Sequence, residues 1–354
     1  MDNNIMDKKI LARYDKIKKF LLEKNFNGFN KNNLFILSIM DYDWGHGIVT
    51  LSNMAESLVN MSIRYPSRVK EFQELLTELV LKAIHPKVNP YKKEINTVVN
   101  LGKFGYYLEH LNIILGSYRR IINDGKYNLL NEKISLHLIN NSNSYSNFHA
   151  DLLPNVNMKW SADQAAILYS LWLFDKNNYS DISSKLINNW IAYMNDKRVH
   201  HGTGLFKTEV LGTRKYSQQP RGCSTAYMVH YMSKFSPQIA KQQWNLFKKF
   251  MTNKLFGKIS FREYLPEYNG KWTPDTGPII SGTGVAATGL ALNAASSIGD
   301  METFNSLQKS FSMFDTFSGV IEGIIGSTIV TKLATDLLST SIWFNAETKE
   351  NWFD

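Results

Sequence analysis

The chain has one cysteine, Cys223, in 354 residues. No intrachain disulfide can form, a metal site built on four cysteines is excluded, and a reducing compartment is the natural expectation. Long apolar runs are scarce too. The opening "MDNNIMDKKILARYDKIKKF" has no extended apolar stretch after its charges and does not read as a secretory signal. The most hydrophobic tail stretch, "FSGVIEGIIGSTIVTKLATDLLSTSIWF", is interrupted by Glu322, Lys332 and Asp336, which argues for a buried helix over a membrane span. A cytoplasmic protein without a membrane span is expected. Phosphate-loop signatures are missing as well: neither G-x-x-x-x-G-K-[ST] nor a strand-linked G-x-G-x-x-G occurs, so nucleotide binding is not expected.

What is present is a composition of 44% hydrophobic, 20% charged and 13% aromatic residues, which fits a folded chain with a large core. The formal net charge of +9 comes from Lys scattered over helix faces, as in "KQQWNLFKKFMTNK", with acids and aromatics between. A nucleic-acid groove would need that charge gathered on one face, so none is expected; attraction of an acidic substrate stays open.

Apolar spacing at three and four residues dominates, and strict alternation is scarce. The pattern predicts helices over 7–24, 47–64, 67–84, 101–122, 126–141, 161–175, 180–195, 222–234, 236–252, 278–298, 300–314 and 331–345. Ser161, Ser180 and Ser236 stand where N-caps belong, and Pro237 suits a first helical turn. Short polar links such as "DKNNYSD" and "KFSP" divide the helices into antiparallel pairs. Longer links between pairs hold the unusual residues: "MDYDWGHG", "LGKFGYYLEH", "NMKWSADQ", "QQPRGCS" and "KWTPDTGP". With 331–345 and 7–24 as partners closing a ring, six hairpins result. That is an all-α (α/α)6 barrel spanning 1–354 as one domain, with the inner helices aiming their N-terminal ends, and these five loops, at one face.

Four stretches in order resemble the linalool dehydratase-isomerase family: "YYLEHLNIILGSYRRIINDGKYNLLNEKISLHLI", "KWSADQAAILYSLWLFDK", "PRGCSTAYMVHYMSKFSPQIAKQQWNLFKKF" and "FREYLPEYNGKWTPDTG" with the small-residue run after it. The resemblance runs over residues 104–310 and implies an (α/α)6 barrel and acid–base chemistry on an alcohol, without cofactor or metal. It matches the family's His to His110 and its Asp before an inner helix to Asp163. The family's cysteine pair around the second stretch is absent here.

The residues themselves suggest roles at the common face. Asp163 in "WSADQ" stands at a helix start, either as a dipole-favoured carboxylate or as acid, base or anchor; Trp160 before it can stack on a ligand or plug the loop. His110 is a natural proton shuttle if it reaches the pocket, with Tyr106 and Tyr107 at i−4 and i−3 on its face and Glu109 pointing elsewhere. "MDYDWGHG" packs Asp41, Asp43, Trp44 and His46 before an inner helix; an acid or base role is favoured over a metal, whose further ligands the spacing does not supply. Arg221 precedes a helix start, against the dipole's preference, which suggests a clamp on an anion or a pair with Glu263. Cys223 reads as core or as a nucleophile near a helix N-terminus. Asp275, with Trp272 nearby, supplies a second acid and aromatic, and two carboxyls in unlike surroundings can divide acid and base roles.

Three functions follow. The first is a cofactor-independent lyase or isomerase acting on a small hydroxylated substrate. The second is a carbohydrate-processing enzyme of hydrolase, lyase or epimerase type, and the third a non-catalytic helical binding protein. A homo-oligomer is compatible with all three.

Overall fold

The computed structural model describes residues 6–26, 43–154, 156–211, 218–255, 257–268, 270, 273, 276–277, 279–310 and 337–353, with backbone alone at 43–46. Its helices are α1 (Lys8–Leu22), α2 (Asp43–Arg64), α3 (Val69–Ile84), α4 (Gly105–Ile121), α5 (Asn128–Asn143), α6 (Ser161–Asn178), α7 (Ser184–Lys197), α8 (Gly222–Phe235), α9 (Pro237–Met251), α10 (Val285–Ile298), α11 (the helical residues 301–310) and α12 (Leu337–Thr348). Among them α2, α4, α6, α8, α10 and α12 each pack against the next, and α12 returns to α2. The outer helices sit across the seams: α3 lies on α2 and α4, α5 on α4 and α6, α9 on α8 and α10, and α1 on α12. This is the (α/α)6 barrel that the hairpin count predicts. No described helix is long and apolar enough to cross a membrane.

The two layers differ in sequence because they differ in environment. Outer α9 buries Ala240, Gln243, Trp244, Phe247 and Met251, one face at three- and four-residue spacing, and shows Lys elsewhere. Inner α4 is buried without a break from Tyr107 to Tyr118, so its polar residues lie inside the protein with the apolar ones. The paired helices are held by tight links. Between α6 and α7 the Asp175 carboxylate accepts from the hydroxyls of Ser180 and Ser183 at 2.6 Å each and from the amides of Ile182 and Ser183. Helix α10 ends at Gly299, whose φ of 77° is left-handed, and Asp300 then caps α11 through Thr303.

Three details depart from the sequence reading. An antiparallel hairpin of β1 (Thr252–Leu255) and β2 (Lys258–Phe261) follows α9 and stacks Phe261 on Phe247 at 4.4 Å. The helix expected over 278–298 begins only at Val285; a second hairpin, β3 (Ile279–Ile280) with β4 (Thr283–Gly284), precedes it. Strands this short carry too little alternation to be read from sequence. Of the expected caps, Ser236 is the N-cap of α9, but Trp160 and Ser183 occupy those places at α6 and α7.

Close packing decides where glycine is needed. A Cβ at Gly222 would collide with the carbonyl oxygen of Arg262 and lie 2.7 Å from the Ala287 Cβ, whereas one at Gly289 would meet nothing within 4 Å. Gly222→Ala is therefore expected to destabilise the protein by roughly 1–3 kcal/mol through overpacking, and Gly289→Ala to stabilise α10 by about 1 kcal/mol. Urea melts of the two variants check the opposite signs.

Candidate active site

Backbone hydrogen bonds join the starts of successive inner helices into one rim. At α4, Gly105 and Tyr106 donate to the carbonyls of Asp151 and Leu152, in the segment leading to α6. At α6, Ser161 donates to Thr208 and Val210 to Lys159, in the segment leading to α8. At α8, Gly222 donates to Glu263, and Arg262 bridges to Thr283 just before α10. The N-terminal ends of four inner helices thus share one face, as the loop pattern predicts. The positive ends of their helix dipoles converge there and make that face suited to polar ligands.

Inside this rim three helices bring titratable groups together. Asp163 lies in the first turn of α6 and is half-buried. Glu109 and His110 lie four and five residues into α4, roughly 6–8 Å below its start, and both are fully buried. His110 Nε2 is 2.8 Å from the Tyr227 hydroxyl of α8 and 3.5 Å from Glu109 Oε1. Tyr106 meets the His110 ring edge-on at 5.6 Å. Neither carboxyl oxygen of Glu109, nor Nδ1 of His110, has a hydrogen-bond partner among the described residues. Burial pushes the Glu109 carboxyl well above the usual carboxylate range, and the nearby Asp163 charge adds to the rise. Burial likewise pushes His110 down to about 3, against a smaller opposing pull from Glu56. The pair is a neutral acid beside a neutral imidazole.

A second, deeper layer is built differently. Glu56 of α2 accepts from the Tyr169 hydroxyl of α6 at 2.9 Å and from Asn345 Nδ2 of α12 at 2.7 Å, with His230 Nε2 of α8 at 3.4 Å. Burial alone would raise its carboxyl, but Lys349 and the hydrogen bonds from His230 and Tyr169 outweigh that and hold it below the usual range. Tyr231 lies 4.9 Å from Tyr227 and 5.3 Å from Tyr169, an aromatic floor between the two layers. Among the described residues, no group of three His, Cys, Asp or Glu side chains is placed to hold a metal ion.

The structure sorts the residues that the sequence put forward. His110 and Asp163 lie on neighbouring inner helices, linked through Glu109 and Tyr227, which His110 contacts and Asp163 acts on electrostatically. Glu109, expected to point elsewhere, sits between them and corrects that reading: an inner helix has no solvent face for it to turn to. Tyr107 turns the other way, giving its hydroxyl to the Ala83 carbonyl of outer α3 at 3.0 Å, while Tyr106 keeps the His110 face. Trp160 is half-buried at the N-cap of α6 and packs on the core. Arg221 pairs with Glu263, as one of its two readings proposed: Nε donates to Oε1 at 3.0 Å and an Nη to Thr273 Oγ1 at 2.9 Å. The Cys223 thiol donates to the same carboxylate at 3.0 Å and is buried, which fits its core reading. Asp41, Trp272 and Asp275 lie outside the described residues, as do the side chains of Asp43, Trp44 and His46; the backbone from Asp43 onward is already the first turn of α2.

Sequence reasoning missed Glu56, Tyr169, Tyr227 and His230. A signal existed for the first: Asn53, Glu56 and Asn60 recur at three and four residues, the spacing of a buried stripe. A shallow groove of about 550 Å³ on the outer wall, lined by Val99, Leu129, Leu136 and His137, shares no residue with either layer.

Two outcomes test this electrostatic picture. Arg221→Met leaves the fully buried Glu263 without its cation and is expected to cost about 3 kcal/mol, much of it recovered in the double variant with Glu263→Gln; denaturant melts read both. Stability should also fall as pH drops from 6.5 to 4.5. His110, His149 and His230 have folded values of about 3, 3 and 4, burial being the first cause, so the unfolded chain takes up three protons that the folded one refuses. Glu109, raised, takes up one in the folded state only, leaving a net difference of two. These four groups give a slope of about 3 kcal/mol per pH unit, read from urea midpoints at pH 6.5 and 5.0; His85, His137 and His200, also lowered chiefly by burial, add to it in the same sense.

No protein-family model and no curated protein matches the sequence. Among solved structures the chain is similar to an alpha-1,6-mannanase of glycoside hydrolase family 76 from a Salegentibacter species, an inactive variant with two consecutive aspartates replaced by alanine, in complex with alpha-1,6-mannotetrose. The two are 11% identical with a TM-score of 0.52, over 95% of this chain and 99% of that one. It is similar as well to a family 76 glycoside hydrolase (mannosidase) from Bacteroides thetaiotaomicron VPI-5482, at 9% identity and a TM-score of 0.52, over 96% and 98% of the two chains. These neighbours do not indicate the linalool dehydratase-isomerase family; what the framework resemblance carried over is the barrel. The likeness is one of fold, and it extends over nearly the whole of this chain.

Proposed function

We propose that the protein is a carbohydrate-processing enzyme of glycoside hydrolase type, with its site at the rim formed by the inner-helix N-termini. The observation that carries this reading is the pairing of two carboxyls in unlike surroundings, half-buried Asp163 and fully buried Glu109, inside that rim. Glycoside cleavage asks for such a pair, one group to deliver a proton and one to meet charge or water at the anomeric carbon. Support comes from the neighbours: two barrels that align over almost their full length are family 76 glycoside hydrolases, and one was studied with a bound mannotetrose. An alpha-linked mannose oligosaccharide is accordingly the first substrate to try.

One observation favours a second reading. His110 is enclosed by Tyr106 and Tyr227 rather than set in an open groove, which suits acid–base chemistry on a small hydroxylated substrate. Incubation with alpha-1,6-linked mannose oligosaccharides, other glycans and small tertiary alcohols, with products separated by chromatography, distinguishes the two. Turnover of a glycan is expected, and Asp163→Asn is expected to lower it by about 10²–10⁴-fold with little change in melting temperature. Dehydration of the alcohols with every glycan untouched would sink the carbohydrate reading.

A further inference from the structure

Two glutamates are buried inside the ring of inner helices, and they are treated in opposite ways. Glu56 is met by a tyrosine, an asparagine and a histidine from three other helices. Glu109 has no hydrogen-bond partner on either oxygen among the described residues, although it is just as deeply buried. The fold can therefore satisfy a buried carboxylate where its task is structural. A carboxyl left unmatched in a tightly packed ring needs another explanation.

Its surroundings supply one. Glu109 Oε1 stands 3.5 Å from His110 Nε2, which in turn contacts the Tyr227 hydroxyl. Asp163 of α6 acts on Glu109 electrostatically, and Glu109 is coupled in turn to Tyr227 and Tyr231 of α8. From α2 the nearest titratable group in this network is Glu56, acting on His110. No cation among these groups competes for the carboxyl, and burial, with Asp163, keeps its proton on.

We propose that Glu109 is the proton donor of this site and Asp163, on the neighbouring inner helix, its carboxyl partner. The inference rests on the carbohydrate reading above and names the group that delivers the proton. No two acidic residues are adjacent anywhere in the sequence, so a carboxyl pair in this chain is assembled from separate positions, and these two are brought together by packing. In the step, the Glu109 O–H bond breaks and its proton goes to the glycosidic oxygen. The bond from that oxygen to the anomeric carbon breaks with its electron pair leaving on the departing alcohol. Asp163 faces the charge that develops at the carbon. Water supplies the hydroxyl that replaces the alcohol, and the proton it gives up restores the Glu109 acid. For the proton to reach the glycosidic oxygen, the side chains packed over the fully buried Glu109 have to give way to the substrate.

The test uses the full chain and two readouts. Infrared difference spectra of wild type against Glu109→Gln at neutral pH should show the band of a protonated carboxyl that the variant lacks. With aryl glycosides of the sugar that the wild type cleaves, Glu109→Gln should lose about 10²–10⁴-fold in kcat on poor leaving groups. It should lose little on an activated one, such as dinitrophenolate, which departs without a proton. The alkaline limb of the pH–rate profile should vanish with it. Asp163→Asn should lose activity on both kinds of substrate. A missing infrared band, or equal loss of rate on good and poor leaving groups, overturns the role of Glu109 while leaving glycan cleavage by the wild type intact. A wild type that cleaves no glycoside overturns the carbohydrate reading itself, and the donor role falls with it.

Discussion

A buried carboxylate, Glu56, ties the ring together. It is bonded or paired from α6 by Tyr169, from α8 by His230 and from α12 by Asn345, with Lys349 close enough to hold it ionised. A charge in that position is tolerable only when every helix stands where its partner is needed, since an unmatched buried charge costs several kcal/mol. The network continues in both directions along α2. Asn345 and Asn293 donate to Asn53, and the Trp352 indole donates to Asn60 at 2.7 Å, so the last residues described close the lower end of the ring. Buried polar contacts of this kind are directional, and they specify which helix faces which in a way that apolar packing does not.

The rim layer is held by the opposite means. Its helix starts are stitched by backbone bonds, and by the Arg221–Glu263 pair, while Glu109 and His110 are left unsatisfied in the middle. Such groups cost stability, about 1–3 kcal/mol for each unmet polar atom, and the well-matched Glu56 network offsets that cost. Matched and unmatched buried groups are therefore separated along the barrel axis: Tyr169, Tyr227 and Tyr231 stand between the Glu56 network and the rim that holds Glu109. The same division accounts for the contrasting protonation states, with Glu56 held ionised and Glu109 held neutral a few turns apart.

The neighbours illustrate how little of this the fold itself dictates. A ring of six inner helices with their amino ends at one face provides a polar mouth in any sequence that closes it, and the groups placed there set the chemistry. The Salegentibacter mannanase is inactivated at two consecutive aspartates, and this chain has no consecutive acids. Shared architecture with a different arrangement of carboxyls is what a common scaffold permits.

Much of the architecture was legible from residues alone. Helix periodicity and turn chemistry are local, so the run of helices, their pairing through links such as 179–183, and the set of loops that precede inner helices all follow from neighbours in sequence. Arg221 emerged because a cation before a helix start sits oddly, Glu263 as its partner, and His110 and Asp163 from their places on inner helices and the framework resemblance. The two β-hairpins did not emerge, since strands of two and four residues carry too little pattern. What only the tertiary structure decided is which polar groups meet. Glu109, Tyr106 and Tyr107 are consecutive or nearly so on one helix, and their spacing left both tyrosines beside His110 and the glutamate apart. The rotation of α4 between α2, α6 and the outer layer sent Tyr107 to Ala83 and brought Glu109 to His110 and Asp163. That rotation is set by packing on every side of a helix with no solvent face, and no stretch of sequence contains all of its neighbours.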